Sequence, residues 1–310
     1  MKTGSSTGGG WKTSLAAVLK AHNGAKQDGS VASHATQDKR ADVLYAGFAE
    51  LRQLGYRLDS VTSLRGKHVE ALVSSWHGRG LSASTIQNNL SIFRTFSAWI
   101  GKTGMVEGVA RYLGAGVASR TSIAREDRSW SAKGVDVAAK LAEVRSKDAR
   151  VALQLELSLQ FSLRPREAMQ LRPTIADKGS YLAVTLGTKG GRDRVVPIDT
   201  AEKRALLERA KTLAAHRSAS TSDPALKLHQ WKNHYYHVVR SCGITRENGF
   251  TPHGLRHQYA NDRYKAVSGA ASPVRGGSAA DRETDRAARL IVAEELGHSR
   301  EDITTHYLGR

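Results

Sequence analysis

The end of the chain carries the first residues whose spacing suggests chemistry. His298 follows a Leu-Gly pair, and Tyr307 comes nine positions later. An imidazole can move a proton or donate a hydrogen bond to an oxyanion, and a phenol can act as a nucleophile. Each residue also has an ordinary explanation, because a histidine at a helix end interacts well with the helix dipole and a tyrosine near a terminus is by default a surface residue.

Four further polar residues stand at the ends of predicted elements. Arg164 lies between an apolar helix and a proline that suits the first position of a new helix. Either this arginine forms a structural ion pair with Glu167, or it binds a ligand anion. Lys189 lies in a predicted hairpin turn, where solvated lysines are common. His253 and Arg256 stand three residues apart in "HGLRH", which places them on one face of a helix.

Together these side chains match what cleavage of a phosphodiester requires. The non-bridging oxygens repel a nucleophile, and the transition state places more charge on them. Two arginines can neutralise these oxygens with forked donors, and histidines can donate to them or manage the proton of the nucleophile. A lysine can protonate the leaving oxygen, and nearby cations favour the phenolate of a tyrosine, whose free pKa is about 10.

Such a site needs no metal ion, because arginines supply the positive charge that a magnesium ion otherwise would. The sequence contains no Cys/His cluster with the spacing of metal ligands and no acidic cluster beside these motifs. We therefore predict a site with no metal and no cofactor.

The elements that must position these residues are mainly helical. Apolar residues recur at helical spacing from Asp38 to Gly55, in "KHVEALVSSWHG" and in "SASTIQNNLSIFRTFSAWIG". The period changes to that of strands in "YLAVTL" and "DRVVPI", and "GTKGGR" between them predicts a hairpin. Helical patterns return from Ala201 onward. The sequence therefore predicts a mainly α protein with an N-terminal helical domain and a mostly helical second domain that holds a small antiparallel β-sheet.

The same patterns predict the domain organisation. Residues 1–36 are rich in Gly, Ser, Ala and Lys, which favours a mobile basic arm. A helical DNA-binding domain is predicted over residues 37–113, a polar interdomain linker over residues 114–130 and the second domain over residues 131–310. Within it, residues 265–284 lack an apolar period and are predicted to be an exposed insertion.

The charge of the chain indicates its partner. It carries 47 Lys+Arg against 29 Asp+Glu, a formal net charge of +18, which favours binding of nucleic acid by phosphate neutralisation. An anionic membrane surface is the alternative, but no apolar run approaches the roughly 20 residues needed to span a bilayer. Residues 1–10 lack the apolar part of a secretory signal, and the single Cys242 fits a reducing cytosol. We predict a cytoplasmic, nucleoid-associated protein that binds double-stranded DNA and does not bind a membrane.

One helix face is a candidate for DNA contact. Thr85, Gln87 and Asn88 are short or uncharged and can form hydrogen bonds, which suits close approach to a DNA groove. A plain solvated face explains them equally well. Lys67 is a further candidate for contact with DNA.

The motifs resemble those of the tyrosine recombinase (phage integrase) family. They are "SLRPREAMQL", "GTKGGRDRVVPI", "HGLRH", "LGH" and "THYL", and they stand in the order of the family. The resemblance covers residues 131–310 and extends more weakly over residues 38–112, which are similar to the helical, SAM-like core-binding domain of the family. It implies a site-specific DNA recombinase that cleaves and rejoins strands through a 3′-phosphotyrosine, in the integration or excision of a mobile element.

The resemblance implies a role for each motif residue. Arg164 and Arg256 would hold the scissile phosphate, and His253 and His298 would assist them. Tyr307 would be the nucleophile that becomes attached to the 3′ phosphate.

The resemblance also implies supporting residues and partners. Lys189 would be the acid for the leaving 5′ oxygen, and Glu167 would support the site without reacting. The expected partners are double-stranded DNA and further copies of the chain in a homo-tetramer on synapsed DNA, with accessory DNA-bending proteins as a further candidate. Two alternatives stay open: a type IB topoisomerase-like nickase-religase, and an architectural DNA-binding protein without catalysis.

Two departures from the family pattern bear on the site. Phe161 and Ser162 stand where the family often has Thr-Gly, which is expected to alter local packing while the arginine that follows is kept. The interval from Arg256 to His298 is longer than usual, which fits the insertion predicted over residues 265–284.

Overall fold

The computed structural model describes residues 10–26, 28–118, 123–277, 280–298 and 300–310. Contacts divide the chain into two compact units, residues 1–121 and residues 122–310. None of the helices in these described ranges is long and apolar enough to cross a membrane.

The first unit is helical throughout. Its core is built from aromatic and aliphatic side chains, and the Phe48 and Phe96 rings meet edge to face with their centroids 5.5 Å apart. Its helices, in chain order, are α1 (Trp11–His22), α2 (His34–Gln53), α3 (Gly66–Gly78), α4 (Ala83–Trp99), α5 (Val109–Leu113) and α6 (Ala115–Ala118).

Helix α4 begins after Ser82. The Ser82 hydroxyl accepts a hydrogen bond from the backbone N–H of Thr85, which satisfies one of the free donors at the start of the helix. Ile86, Leu90 and Phe93 are fully buried at helical spacing, so this face of α4 forms part of the core.

The prediction of a mobile arm over residues 1–36 is wrong for the residues that the structure describes. Residues 11–22 form α1, and Trp11 and Leu15 are buried in the core of the first unit. The Trp11 ring lies 6.1 Å from that of Phe48. The sequence "WKTSLAAVLKAH" allows a short helix, but the many Gly, Ser, Ala and Lys residues around it favoured an arm over a packed element. Residues 1–9 lie outside the described ranges.

The second unit is mostly helical around a two-stranded antiparallel sheet, which confirms the predicted fold class. The strands pair Tyr181 with Pro197 and Val184 with Arg194. The elements, in chain order, are α7 (Val137–Lys147), α8 (Ala149–Phe161), α9 (Pro165–Gln170), α10 (Pro173–Ala176), β1 (Tyr181–Val184), β2 (Arg194–Pro197), α11 (Ala201–Leu213), α12 (Leu228–Ser241), α13 (Pro252–Ser268), α14 (Arg282–Glu295) and α15 (Thr305–Leu308).

The predicted linker over residues 114–130 needs a correction at its end. Trp130 is fully buried, and its ring N–H donates a hydrogen bond of 2.7 Å to the backbone carbonyl of Thr251. A Cβ at Gly254 would come within 2.8 Å of the Trp130 ring, so the glycine allows the tryptophan to pack against the start of α13. The end of the predicted linker therefore belongs to the core of the second unit, while residues 119–122 lie outside the described ranges.

The prediction of an exposed insertion over residues 265–284 needs a similar correction. Its first four residues belong to α13 and its last three to α14. Between them, Ser272 is fully buried and Arg275 forms ion pairs of 2.7 Å with Asp127 and 2.6 Å with Asp262. Polar side chains without an apolar period hold this segment, so hydrophobic patterning could not reveal its packing. Residues 278–279 lie outside the described ranges.

Candidate active site

The site begins where α8 ends. Ser162 has a left-handed backbone with φ of 54°, which turns the chain sharply after Phe161. Its carbonyl accepts hydrogen bonds from Arg256 Nη1 and, at 3.3 Å, from Arg194 Nη2. Arg164 then caps α9, whose first residue is Pro165, as the sequence predicts.

Glu167 is the anion that holds two arginines. Its buried carboxylate accepts hydrogen bonds from Arg164 Nη1 at 2.8 Å and from Arg194 Nη1 and Nη2 at 2.9 and 2.7 Å. Burial alone would raise the pKa of Glu167, but the hydrogen bonds and charges of Arg194 and Arg164 lower it below its usual value. The structural ion pair of Arg164 therefore exists, although its side chain stays 23% exposed and accessible to a ligand.

Arg256 belongs to α13. Its side chain lies beside that of Arg164, next to the carboxyl end of α14. Its Nη2 donates to the Leu296 carbonyl at 3.1 Å, and Arg164 Nη2 approaches the same oxygen at 3.4 Å. Burial, and then the charges of Arg164 and Arg194, lower the pKa of Arg256 to about 10 while Tyr307 and Glu167 act to raise it. Arg256 therefore remains charged at neutral pH, and its buried Nε has no hydrogen-bond partner among the described residues.

Three histidine rings surround the Tyr307 ring. The centroid distances to Tyr307 are 5.9 Å for His253, 4.7 Å for His257 and 6.3 Å for His298. Burial, with the neighbouring arginines adding a smaller effect, lowers the pKa of His253 and His298 to about 4. Burial and then His253 lower the pKa of His257 to about 3. All three rings are therefore neutral at neutral pH, so each offers one N–H donor and one acceptor nitrogen.

Helix α15 brings Tyr307 to this cluster. The side chain of Tyr307 is only 7% exposed. Its backbone carbonyl accepts a hydrogen bond of 3.3 Å from Asn261 Nδ2, and the carbonyl of Thr305 accepts one of 2.8 Å from the backbone N–H of Ala124. Within the described ranges, the structure thus brings Tyr307 together with His253, Arg256 and His298.

Lys189 is not part of this cluster. It lies exposed in the turn Lys189–Gly191 between β1 and β2, and Gly190 in this turn has φ of 75°. The described residues give Lys189 no hydrogen bond or ion pair. The sequence correctly predicts the hairpin, and the role of Lys189 stays a prediction.

The candidate DNA-contacting residues all lie in the first unit. Lys67 is exposed on α3, and Thr85 and Asn88 are exposed on α4. Gln87 is half-buried on α4. The exposed positions leave open both explanations of this helix face, DNA contact and plain solvation.

Sequence reasoning missed two residues of the site. Arg194 is buried and forms a bidentate ion pair with Glu167, although it is the first residue of a strand whose other residues are apolar. His257 has the ring nearest to Tyr307 of the three histidines, and it is the last letter of the "HGLRH" motif. A charged residue at a strand position that alternation assigns to the core was the available signal for Arg194.

No group of three or more His, Cys, Asp or Glu side chains within the described ranges is arranged to hold a metal ion. The polar side chains around Tyr307 in these ranges include Arg256 and three neutral histidines, whose N–H donors suit an anion.

The fold of the chain is that of DNA integrases. Lambda integrase, in a dimer bound to a COC' core site, aligns with a TM-score of 0.60 at 14% identity, covering 94% of this chain and 76% of that one. The Tn1549 transposon integrase in complex with a circular intermediate DNA aligns with a TM-score of 0.58 at 14% identity, covering 94% and 95%.

Sequence comparison leads to the family. Residues 119–262 match the family described as "Integrase", and residues 14–106 match "Phage integrase, N-terminal". Tyrosine recombinase XerC of Xanthomonas axonopodis pv. citri is 30% identical over 203 residues, which cover 63% of each chain. XerC of Xylella fastidiosa is 33% identical over 152 residues, covering 48% of this chain and 49% of the relative. The chain thus belongs to the tyrosine recombinase family, and the matches span 63% and about half of these two relatives.

Proposed function

We propose that this protein is a site-specific DNA recombinase that cleaves and rejoins DNA strands through a phosphotyrosine. One observation carries the proposal: His253 and Arg256 of α13 and His298, which follows α14, meet around Tyr307. A phenol surrounded by groups of this kind is suited to attack a phosphodiester, because they stabilise both the phenolate and the charge that develops on the phosphate.

The chemistry is a transfer of the phosphoryl group between oxygens. The Tyr307 oxygen forms a bond to phosphorus while the bond from phosphorus to the 5′ oxygen breaks. The phenolic proton passes to a neutral histidine or to water, and Lys189 supplies a proton to the leaving 5′ oxygen. Because the new ester is again a phosphodiester, a free 5′-hydroxyl can reverse the step, so strand exchange consumes no ATP.

Arg164 and Arg256 would contact the scissile phosphate in different ways. Arg164 is the more accessible of the two and would contact the non-bridging oxygens directly, and Arg256 would do so through its Nε, which has no hydrogen-bond partner among the described residues. Glu167, through its hydrogen bonds to Arg164 and Arg194, fixes the orientation of the arginines before DNA arrives.

The partner of this proposal is double-stranded DNA. The net charge of +18 favours it, and Lys67, Thr85, Gln87 and Asn88 of the first unit are proposed contacts. Lambda integrase has been captured as a tetramer bound to a Holliday junction. By analogy, we infer a homo-tetramer on synapsed DNA, with accessory DNA-bending proteins as optional partners and a cytoplasmic, nucleoid-associated location. The biological role would be integration or excision of a mobile element.

A suicide substrate tests the proposal. It is a duplex made from the DNA that flanks the gene, nicked beside the cleavage position so that the released strand diffuses away. Wild-type protein should form a denaturation-resistant adduct in EDTA, and Tyr307→Phe should bind the same DNA without forming it. An adduct that needs a metal ion would contradict the mechanism. DNA binding without any adduct by the wild type would instead favour an architectural protein.

A second substrate separates recombination from the alternative of a nickase-religase. Two duplexes that carry the flanking site are mixed with the wild-type protein, and strand exchange between them is measured. Recombinant products are expected. Relaxation of supercoiled DNA with no exchange between the duplexes would favour the topoisomerase-like activity.

A further inference from the structure

The segment after α13 packs against the helix that carries Tyr307. We call residues 270–277 the strap. Its residues 273–275 form a single tight helical turn, and the N–H of Gly277 returns to the carbonyl of Ser272 at 3.1 Å. A Cβ at Gly277 would collide with the carbonyl of Ala271, so the strap is closed tightly on itself.

A short chain of side-chain hydrogen bonds connects the strap to Tyr307. The buried Ser272 hydroxyl donates to Oδ1 of Asn261, which is itself fully buried on α13. The amide of Asn261 donates in turn to the carbonyl of His257 at 2.8 Å and to that of Tyr307 at 3.3 Å. The two carbonyls can accept only from the nitrogen of the Asn261 amide, so its oxygen faces Ser272, whose hydroxyl holds it there.

A second contact holds the end of α15. Gly309 has φ of 75°, and a Cβ there would come within 3.1 Å of the backbone nitrogen of Val274 in the strap and 3.3 Å of the carbonyl of Ala124. Arg289 Nη1 donates to the carbonyl of Gly309 at 3.1 Å. The strap therefore lies close to the backbone at Gly309, two residues after the tyrosine, and is linked to Tyr307 itself through Asn261.

Ion pairs anchor the strap. Arg275 binds Asp127 at 2.7 Å and Asp262 at 2.6 Å, and its side chain is 21% exposed. Asp262 follows Asn261 on α13, so the anchor and the hydrogen-bonded chain share one turn of that helix. The strap is thus fixed relative to α13, which also carries His253 and Arg256.

We propose that Asn261 and Ser272 are positioning residues, and that the strap holds the Tyr307 hydroxyl where it can attack a phosphodiester bound by the same chain. The inference rests on the proposed function, since it takes Tyr307 as the nucleophile. The physical reason is geometric: a nucleophile displaced by about 1 Å can lose on the order of a hundredfold in rate. Helix α15 has only four residues, Thr305–Leu308, so contacts to its backbone help to decide where the hydroxyl lies.

The test compares Ser272→Ala and Asn261→Leu with a matched control, Ser268→Ala. The hydroxyl of Ser268 bonds only to the carbonyls of Tyr264 and Ala270 and accepts from the Ala270 N–H, next to the strap but without contact to Tyr307. For each full-length variant, the single-turnover rate of adduct formation is measured at saturating suicide duplex, together with the Kd for DNA. Amide hydrogen exchange of α15 is measured without DNA.

Ser272→Ala should lower the single-turnover rate by about tenfold and Asn261→Leu by more, with an unchanged Kd and faster exchange in α15. Ser268→Ala should behave as the wild type. The defect should persist on a duplex with a 5′-thio leaving group, since nucleophile placement and not protonation is impaired. A variant that only lost stability would cleave at the normal rate once its folded fraction is accounted for.

The outcomes separate the inference from the proposed function. If Ser272→Ala and Asn261→Leu cleave at the wild-type rate, or if exchange in α15 is unchanged, the strap does not position Tyr307. Tyr307→Phe would remain inactive in that case, and the proposed function would stand. If Tyr307→Phe still forms the adduct, both the function assigned to Tyr307 and the inference that rests on it are wrong.

Discussion

The guanidinium of Arg256 donates a hydrogen bond to the backbone carbonyl of Ser162, the only non-glycine residue in the described ranges with a positive φ. The left-handed turn at Ser162 directs this carbonyl at the guanidinium. The same oxygen also accepts from Arg194, so one peptide group helps to fix two arginines of the candidate site. The family often has glycine where this chain has serine, and the structure gives the physical reason for that preference.

Ser162→Gly should therefore stabilise the fold. Glycine adopts the left-handed region without a steric penalty, and the change also removes a buried hydroxyl that has no partner among the described residues. We expect the free energy of unfolding to rise by about 1 kcal/mol in urea titrations. Ser162→Ala is the control, because it removes the hydroxyl but keeps the Cβ. Equal stability of the two variants would show that the backbone conformation carries no strain.

Glu167→Gln should destabilise the protein strongly. The variant leaves Arg164 and the buried Arg194 without their shared anion, and breaking a buried ion pair from one side costs about 3 kcal/mol or more. Urea titration gives the change. The matched control is Glu208→Gln, which removes an exposed partner of Lys211 and should change the free energy of unfolding by less than about 0.5 kcal/mol. Similar effects of the two substitutions would exclude Glu167 as the organiser of the arginines.

Acid should destabilise the DNA-free protein well above the range where carboxylates titrate. Burial holds the pKa of His257 at about 3 and that of His253 at about 4, against about 6.5 in an unfolded chain. Between pH 6.5 and 4 the unfolded chain binds protons that the folded protein does not, so the free energy of unfolding falls as the pH falls. The buried His257 alone should account for a loss of about 1.4 kcal/mol between pH 7.5 and 5.5.

Urea titrations at these two pH values test the effect, with His257→Phe as the comparison. The variant keeps an aromatic ring against Tyr307 but cannot bind a proton. Its loss of stability between the two pH values should be smaller than that of the wild type by the amount assigned to His257. An equal loss in both proteins would mean that His257 is already protonated or solvated in the folded state.

The sequence was most informative where one residue type has a single structural use. Pro165 predicts the break before α9, and the change of period predicts the hairpin that carries Lys189; the structure has both. Hydrophobic patterning could not reveal the packing of Ser272, which is held by one polar contact to a side chain distant in the sequence. Alternation along β2 places Arg194 on the core side, but a buried charge needs a partner, and the pattern does not identify Glu167 as that partner.

The role of Lys189 can be tested by changing the leaving group. Lys189→Ala should slow adduct formation on an ordinary duplex, because the 5′ oxygen leaves poorly without a proton. A 5′-thio linkage leaves without one and should restore the rate. Lys178→Ala removes another exposed lysine beside the sheet and should cleave both substrates as the wild type does. A defect of Lys189→Ala that the 5′-thio substrate does not relieve would remove its role as the acid.

The attachment of DNA to Tyr307 is the central claim, and peptide mapping tests it most directly. The adduct formed with the nicked duplex is digested with protease, and mass spectrometry locates the nucleotide-bearing residue while end-labelling identifies the freed DNA end. We expect a 3′-phosphate joined to Tyr307 and a free 5′-hydroxyl on the released strand. A nucleotide on any other residue, such as the neighbouring His306 or the buried Tyr259 or Tyr264, or a bond to the 5′ phosphate, would contradict it.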